Sequence, residues 1–258
     1  MELDDITITK AIVDDFSKTF IDYTEVDVAL VGGGPANMIA ATRLAQEGYK
    51  VALFEKKLAL GGGMWGGGMM FPRIVVQDEA RKILEEFDIN HYEYDNEKGY
   101  YIANSIESVS RLINKTVTSG VQVFNLVNFE DVMIREDDRV TGIVINWTAV
   151  SIANLHVDPL TIRAKVVIDG TGHEAVVCNT VQRKIPNAKF EGVVGERPMW
   201  ADAGEKSLKE TTREVYPGLI VTGMAANAVA GAPRMGPVFG GMLLSGEMAA
   251  KIAMSKLD

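Results

Sequence analysis

An apolar run, Val26-Asp27-Val28-Ala29-Leu30-Val31, stops at Gly32-Gly33-Gly34-Pro35-Ala36-Asn37 and resumes as the helical pattern Met38-Ile39-Ala40-Ala41-Thr42-Arg43-Leu44. A strand that turns through glycines into a helix brings backbone N–H groups and a positive helix end to one point, which suits a pyrophosphate. A second strand-like run, Val51 to Phe54, leads to Glu55. Its carboxylate falls about 20 residues past the glycines, where a dinucleotide fold places the acid that holds a ribose. This βαβ unit, residues 25–56, fixes the adenosine end of a ligand and leaves open whether the nucleotide is FAD or NAD. Asn37 stands where a third glycine allows close helix–strand packing. Asparagine needs more room, so the helix is expected to sit slightly further from the strand.

Residues 6–20 carry Ile12, Val13, Phe16 and Phe20 at helical spacing and read as an amphipathic helix. The cluster Gly61-Gly62-Gly63-Met64-Trp65-Gly66-Gly67-Gly68 cannot hold a stable helix or strand. It suits backbone that approaches a ligand closely, or a flexible surface loop. Met64, Trp65, Met69, Met70 and Phe71 are residues of buried type and argue against the loop; the Met and Trp residues here and Trp200 read as core or interface. Residues 78–87 and 106–118 read as helices, with paired strands around Asn96-Glu97-Lys98-Gly99 between them. Residues 121–124 read as a parallel strand and 127–150 as a meander whose hairpin turn falls near Glu136-Asp137-Asp138-Arg139. A buried strand, 164–168, ends in Asp169-Gly170-Thr171-Gly172; a last strand, 219–222, ends in Gly223-Met224. A final helix, roughly 238–255, carries Met242, Leu243, Ala249 and Ile252 on one side.

These elements predict an α/β fold: a Rossmann-like doubly wound sheet of the FAD/NAD-binding (glutathione-reductase-like) type. It is expected as one domain over residues 1–258, with a β-meander inserted at roughly 127–160. Such a fold by itself gives no licence for flavin chemistry. With 47% hydrophobic residues the chain has material for the core such a sheet needs. A net charge of −9 argues against nucleic acid and anionic membrane as partners. One cysteine, Cys178, excludes an intrachain disulfide and a cysteine-only metal cage, and reads as a small buried hydrophobe. Met1-Glu2-Leu3-Asp4-Asp5 lacks the basic start of a signal peptide, and the longest uncharged stretch, 217–233, is too short and polar to span a bilayer. A soluble cytoplasmic protein is expected.

Three further segments carry chemistry. His156 and Asp158 lie two apart, so an extended segment would put both on one face. His173 follows a glycine turn at a strand end, where α/β ligand sites form. Imidazole and carboxylate suit Fe(II), Mn(II) or Zn(II) with open positions for reaction; equally, His173 caps a turn and Asp158 opens one with Pro159. Arg234 is the one charged residue in Pro233-Arg234-Met235-Gly236-Pro237-Val238-Phe239-Gly240-Gly241, suited to a bidentate clamp on a small carboxylate or to a structural salt bridge.

Taken in order, five segments resemble the thiamine thiazole synthase family in its archaeal form. They are the GGGPAN turn with Glu55-Lys56, the glycine cluster, His156-Val157-Asp158-Pro159, Gly170-Thr171-Gly172-His173-Glu174 and the Arg234 segment. The resemblance implies that NAD is consumed as a substrate, loses nicotinamide and supplies ADP-ribose. The sugar then condenses with glycine, gains sulfur and cyclises to an ADP-thiazole carboxylate. It implies that Ala36, Glu55, Lys56, Gly63, Val127, His156 and Met224 line the NAD-derived ligand and that Arg234 binds the glycine carboxylate. Asp158 and His173 match the family's iron ligands, contributed from two subunits of a homo-oligomer, since family members form octamers. His156, Asp158 and His173 are the catalytic candidates. Eukaryotic members carry at the position of His156 a cysteine that gives up its own sulfur. This chain has no donor there, which implies a multi-turnover catalyst using free sulfide with Fe(II) in an anaerobic cytoplasm. Some archaeal members have been labelled ribose 1,5-bisphosphate isomerases; that activity, an FAD-dependent oxidoreductase and a non-enzymatic NAD- or metal-binding sensor are the competing readings.

Overall fold

The computed structural model describes residues 1–135, 138–185, 188, 190 and 192–257. Helix α1 (Asp5–Asp22) precedes β1 (Glu25–Val31), α2 (Pro35–Gln46) and β2 (Val51–Glu55). After a 3-10 turn at Gly62–Gly66 come β3 (Arg73–Gln77), α3 (Asp78–Glu86), β4 (His91–Glu93), β5 (Tyr100–Asn104), α4 (Ser105–Thr118) and β6 (Gln122–Asn125). Next are β7 (Val127–Arg135), β8 (Arg139–Trp147), α5 (Thr148–Ile152) and β9 (Leu160–Asp169). A 3-10 turn at Gly172–Glu174 leads to α6 (Val176–Lys184), α7 (Ala201–Thr211), β10 (Arg213–Tyr216), β11 (Leu219–Val221), α8 (Met224–Ala230) and α9 (Gly240–Leu257).

The spatial order is β10-β11-β9-β1-β2-β6, parallel from β11 to β6 with β10 antiparallel at the edge. Parallel strands covered on both faces need apolar residues at every position, and β1 meets this condition. Val28 and Leu30 face a core shared with α2 and α9, while Ala29 and Val31 face a second core under β7 and β8. Strands β7 and β8 form an antiparallel pair that joins the first half of β9, the inserted meander. Of the expected hairpin turn, Glu136 and Asp137 lie outside the described residues; Asp138 is in a turn and Arg139 starts β8. Strands β4 and β5 are the pair expected around Asn96, and β3 joins them as a third strand that the sequence reading did not find.

Asn37 departs from expectation. It is fully buried, and its Nδ2 donates to the carbonyls of Val31 (2.9 Å) and Gly32 (2.8 Å), tying α2 to the end of β1 rather than pushing it away. The space comes from the next strand. A Cβ at Gly170 would lie 2.4 Å from the Asn37 carboxamide, so the glycine that the motif lacks on the helix is supplied at the end of β9.

No residue of α1 is buried. It rests on the body through Phe16 and Phe20, which meet Phe124 edge-on and Trp147 at a tilt, and leaves Ile6, Ile8, Ile12 and Val13 exposed. Among the described residues no helix is long and apolar enough to cross a membrane.

Candidate functional site

A cleft of about 1350 Å³ runs along the C-terminal ends of β1, β2, β9 and β11, where ligands bind in open α/β sheets. Its floor is the Gly32–Gly34 turn. Gly32 has φ +92°, and a Cβ there would meet the Gly170 carbonyl at 2.7 Å, so only glycine lets the two strand ends approach. Pro35 opens α2 and no side chain caps the helix, which leaves its first amides for a ligand anion. Glu55 is buried at the end of β2. Its Oε2 accepts the Gly33 N–H (2.6 Å) and its Oε1 the Lys57 N–H (2.8 Å). A carboxylate has about four acceptor positions, so Glu55 shapes the turn and still has capacity for ribose hydroxyls.

Ala36, Glu55, Lys56, Gly63, Val127, Met224, His173 and Arg234 all line this cleft. The glycine cluster is part of its wall, docked by the Gly61 N–H on the Gly33 carbonyl (2.8 Å) with Met64 fully buried beneath. Its neighbours, expected in the core or at an interface, are not in the core. Met69 and Met70 have φ of 57° and 67°, a reversal that throws Met69, Met70 and Phe71 outward; Trp65 and Trp200 are exposed as well.

Asp169, fully buried, builds the turn that carries His173. Its Oδ1 accepts from the Thr171 N–H (3.0 Å) and hydroxyl (2.7 Å), its Oδ2 accepts the Cys178 N–H (3.0 Å), and Thr171 Oγ1 caps Val176 (2.7 Å). His173 thus projects from a braced corner, with Nδ1 2.5 Å from Glu196 Oε2. Across the cleft Lys56 Nζ reaches Glu174 Oε2 at 3.1 Å. Cys178 is fully buried, and desolvation together with Asp169 pushes its thiol well above the usual range, so it is inert.

Arg234 is exposed in the cleft, and among the described residues no carboxylate pairs with it. Its loop is held by backbone bonds from Arg234 to Arg197 (3.2 Å) and from Trp200 to Arg234 (3.0 Å). Behind the loop, Glu205 of α7 accepts the Gly241 N–H at the start of α9 (2.5 Å) and a Gln77 Nε2–H from β3 (2.9 Å). Burial pushes the Glu205 carboxyl up to about 7.

His156 and Asp158 are placed elsewhere. They lie on an exposed irregular loop between α5 and β9, not on a strand, and do not line the cleft of their own chain. The described residues contain no group of three histidine, cysteine, aspartate or glutamate side chains able to hold a metal. His173 itself fits one: its Nδ1 is engaged, which leaves Nε2 as the coordinating nitrogen. Glu196 and Arg197, both in the cleft, were not found from the sequence.

A glycine turn, an acid at the end of the second strand and an inserted meander define an α/β protein with the FAD/NAD-binding type of fold. The chain belongs to the Thi4 family, whose model matches residues 9–239. Similar full-length relatives include the thiamine thiazole synthases of Methanococcoides burtonii, 67% identical with 100% of both chains covered, and Pyrococcus abyssi, 54% identical with 99% of both covered. The crystal structure of Thermovibrio ammonificans THI4 superposes with a TM-score of 0.96 at 47% identity, covering 100% of this chain and 99% of that one. A geranylgeranyl bacteriochlorophyll reductase-like protein from Thermoplasma acidophilum shares the fold alone, with a TM-score of 0.56 at 14% identity over 90% of this chain and 78% of that one.

Proposed function

We propose that the protein converts NAD, glycine and sulfide to an ADP-thiazole carboxylate with release of nicotinamide, in the cytoplasm, as an iron(II)-dependent, multi-turnover catalyst. The observation that carries this reading is one continuous cleft lined by Glu55 and the phosphate turn and also by His173 and Arg234. Glu55 would accept ribose hydroxyls, the first amides of α2 would take the pyrophosphate, and Arg234 would pair with the glycine carboxylate. Iron(II), held by His173 and by Asp158 of the partner subunit, would supply Lewis-acid binding of sulfide and substrate. The exposed position of Asp158, and the apolar residues left uncovered on α1 and at Met69, Met70, Phe71 and Trp200, suit a homo-oligomer, an octamer by family resemblance, that shares the metal site. His156 in place of a donor cysteine, with Cys178 buried and inert, leaves external sulfide as the sulfur source.

The test is an anaerobic incubation with NAD, glycine, sulfide and Fe(II), read by mass spectrometry. An adenylated thiazole should exceed one equivalent per subunit and vanish when iron or sulfide is omitted. Intact NAD and no thiazole would overturn the proposal and make ribose 1,5-bisphosphate the next substrate to try. Glu55→Ala strands two amide donors and removes the ribose acceptor. Calorimetry should show ADP-ribose affinity reduced about 100-fold or more, the equivalent of two charged hydrogen bonds. For the shared site, Asp158→Ala and His173→Ala should each abolish turnover. Co-expressed, they should recover about a quarter of wild-type activity, because random assembly leaves that fraction of two-subunit sites intact. No recovery would place both ligands in one subunit.

A further inference from the structure

We infer that Glu196 is a positioning residue for the metal ligand His173, an inference that rests on the metal-site reading above. A carboxylate only accepts, so the contact of 2.5 Å between His173 Nδ1 and Glu196 Oε2 requires the proton on Nδ1 and leaves the Nε2 lone pair for a cation. Glu196 is built for this task rather than being a chance surface partner. Its side chain is 14% exposed against 51% for His173. The backbone on either side is pinned, with the Gly195 N–H on the Ala228 carbonyl (2.9 Å) and the Arg197 N–H on that of Ala232 (3.0 Å). Its second oxygen, Oε1, is buried without a donor among the described residues, so His173 is the one hydrogen-bond partner this side chain has there. A carboxylate placed behind a metal-ligating imidazole fixes its tautomer and holds the ring plane. The same strap leads through Arg197 to the Arg234 loop, which sets the imidazole and the guanidinium in one frame.

The experiment measures Mn(II) binding to the full-length oligomer by electron paramagnetic resonance of the free ion, for wild type, Glu196→Gln, Glu196→Ala and His173→Ala. ADP-ribose binding serves as the check on folding. Glu196→Gln keeps an acceptor but not the charge and should weaken Mn(II) about 10-fold; Glu196→Ala should approach about 100-fold, with ADP-ribose affinity within about twofold of wild type. Turnover of Glu196→Gln should recover as Fe(II) is raised, which a purely structural defect would not do. Equal Mn(II) affinity in wild type and both Glu196 variants, with binding lost in His173→Ala, would overturn the positioning role and leave the metal site standing. Loss of Mn(II) in Glu196→Gln as complete as in His173→Ala would make Glu196 a ligand and also overturn it. Absence of binding in the wild type would instead sink the metal reading itself.

Discussion

Gly170→Ala is expected to destabilise the protein by about 3 kcal/mol, and restoring glycine at position 37 in the same chain is expected to return much of that loss. The new Cβ would sit 2.4 Å from the Asn37 Cγ and Nδ2 and 2.6 Å from its Oδ1. Asn37 cannot yield, because it is fully buried and its amide donates to the carbonyls of Val31 and Gly32. Asn37→Gly alone removes those two bonds, opens a void and puts glycine into a helix, together also about 3 kcal/mol. The double variant relieves the clash, so the two costs should fall short of additive by about 2 kcal/mol in a double-mutant cycle measured by urea unfolding at fixed protein concentration. Costs that add within about 0.5 kcal/mol would show that the two residues do not share the space.

That pair also marks how far the sequence could be read. The turn, Glu55, the parallel strands and α9 were legible because each is written locally: a glycine run between a two-faced strand and a helix, and an acid at fixed spacing. Asn37 was legible as a departure, but its accommodation was not, because the space is supplied by Gly170 on a different strand. For the outward Met69 to Phe71 segment the sequence left core and interface open for a related reason: residue type reported apolar surface, while two positive φ angles decided its direction. Strand β3 is short, and its partner β5 is set by tertiary packing rather than by a local turn signal, whereas β10 was missed although the Pro217-Gly218 turn joins it directly to β11. Glu196 lies 23 residues from His173 in a strap without helical or alternating pattern. Only the backbone bonds to residues 228 and 232 bring it to the imidazole. His156 and Asp158 were found as residue types at a spacing, but the expected strand is an exposed loop.

Glu205 provides the second large effect, and its sign is set by proton linkage. Burial raises the folded carboxyl from 4.5 to about 7, against the lowering influence of the Gly241 N–H and Gln77, with the Glu79 charge adding to the rise. The folded state therefore holds this proton more tightly than the unfolded chain. Its contribution to stability is complete below pH about 4.5, declines as pH rises and is gone above about 7. The span corresponds to on the order of 3 kcal/mol. The local groups agree with that direction: Gln77 Oε1 and Glu205 Oε1 are both buried without a donor, so the cluster is a proton short when Glu205 is ionised. Glu205→Gln keeps an acceptor for Gly241 and brings a permanent donor. Relative to wild type it should be nearly neutral at pH 5 and stabilising by up to about 3 kcal/mol at pH 8. Because Glu205 anchors the start of α9, directly after the Arg234 loop, the ionised form should also loosen that loop. Hydrogen exchange of residues 233–241 should then be faster at pH 8 than at pH 6 in wild type, after correction for intrinsic rates, and pH-independent in Glu205→Gln. A stability difference that stays flat from pH 5 to 8 would show that the carboxyl titrates as though exposed, and the link from this buried acid to the Arg234 loop would fall with it.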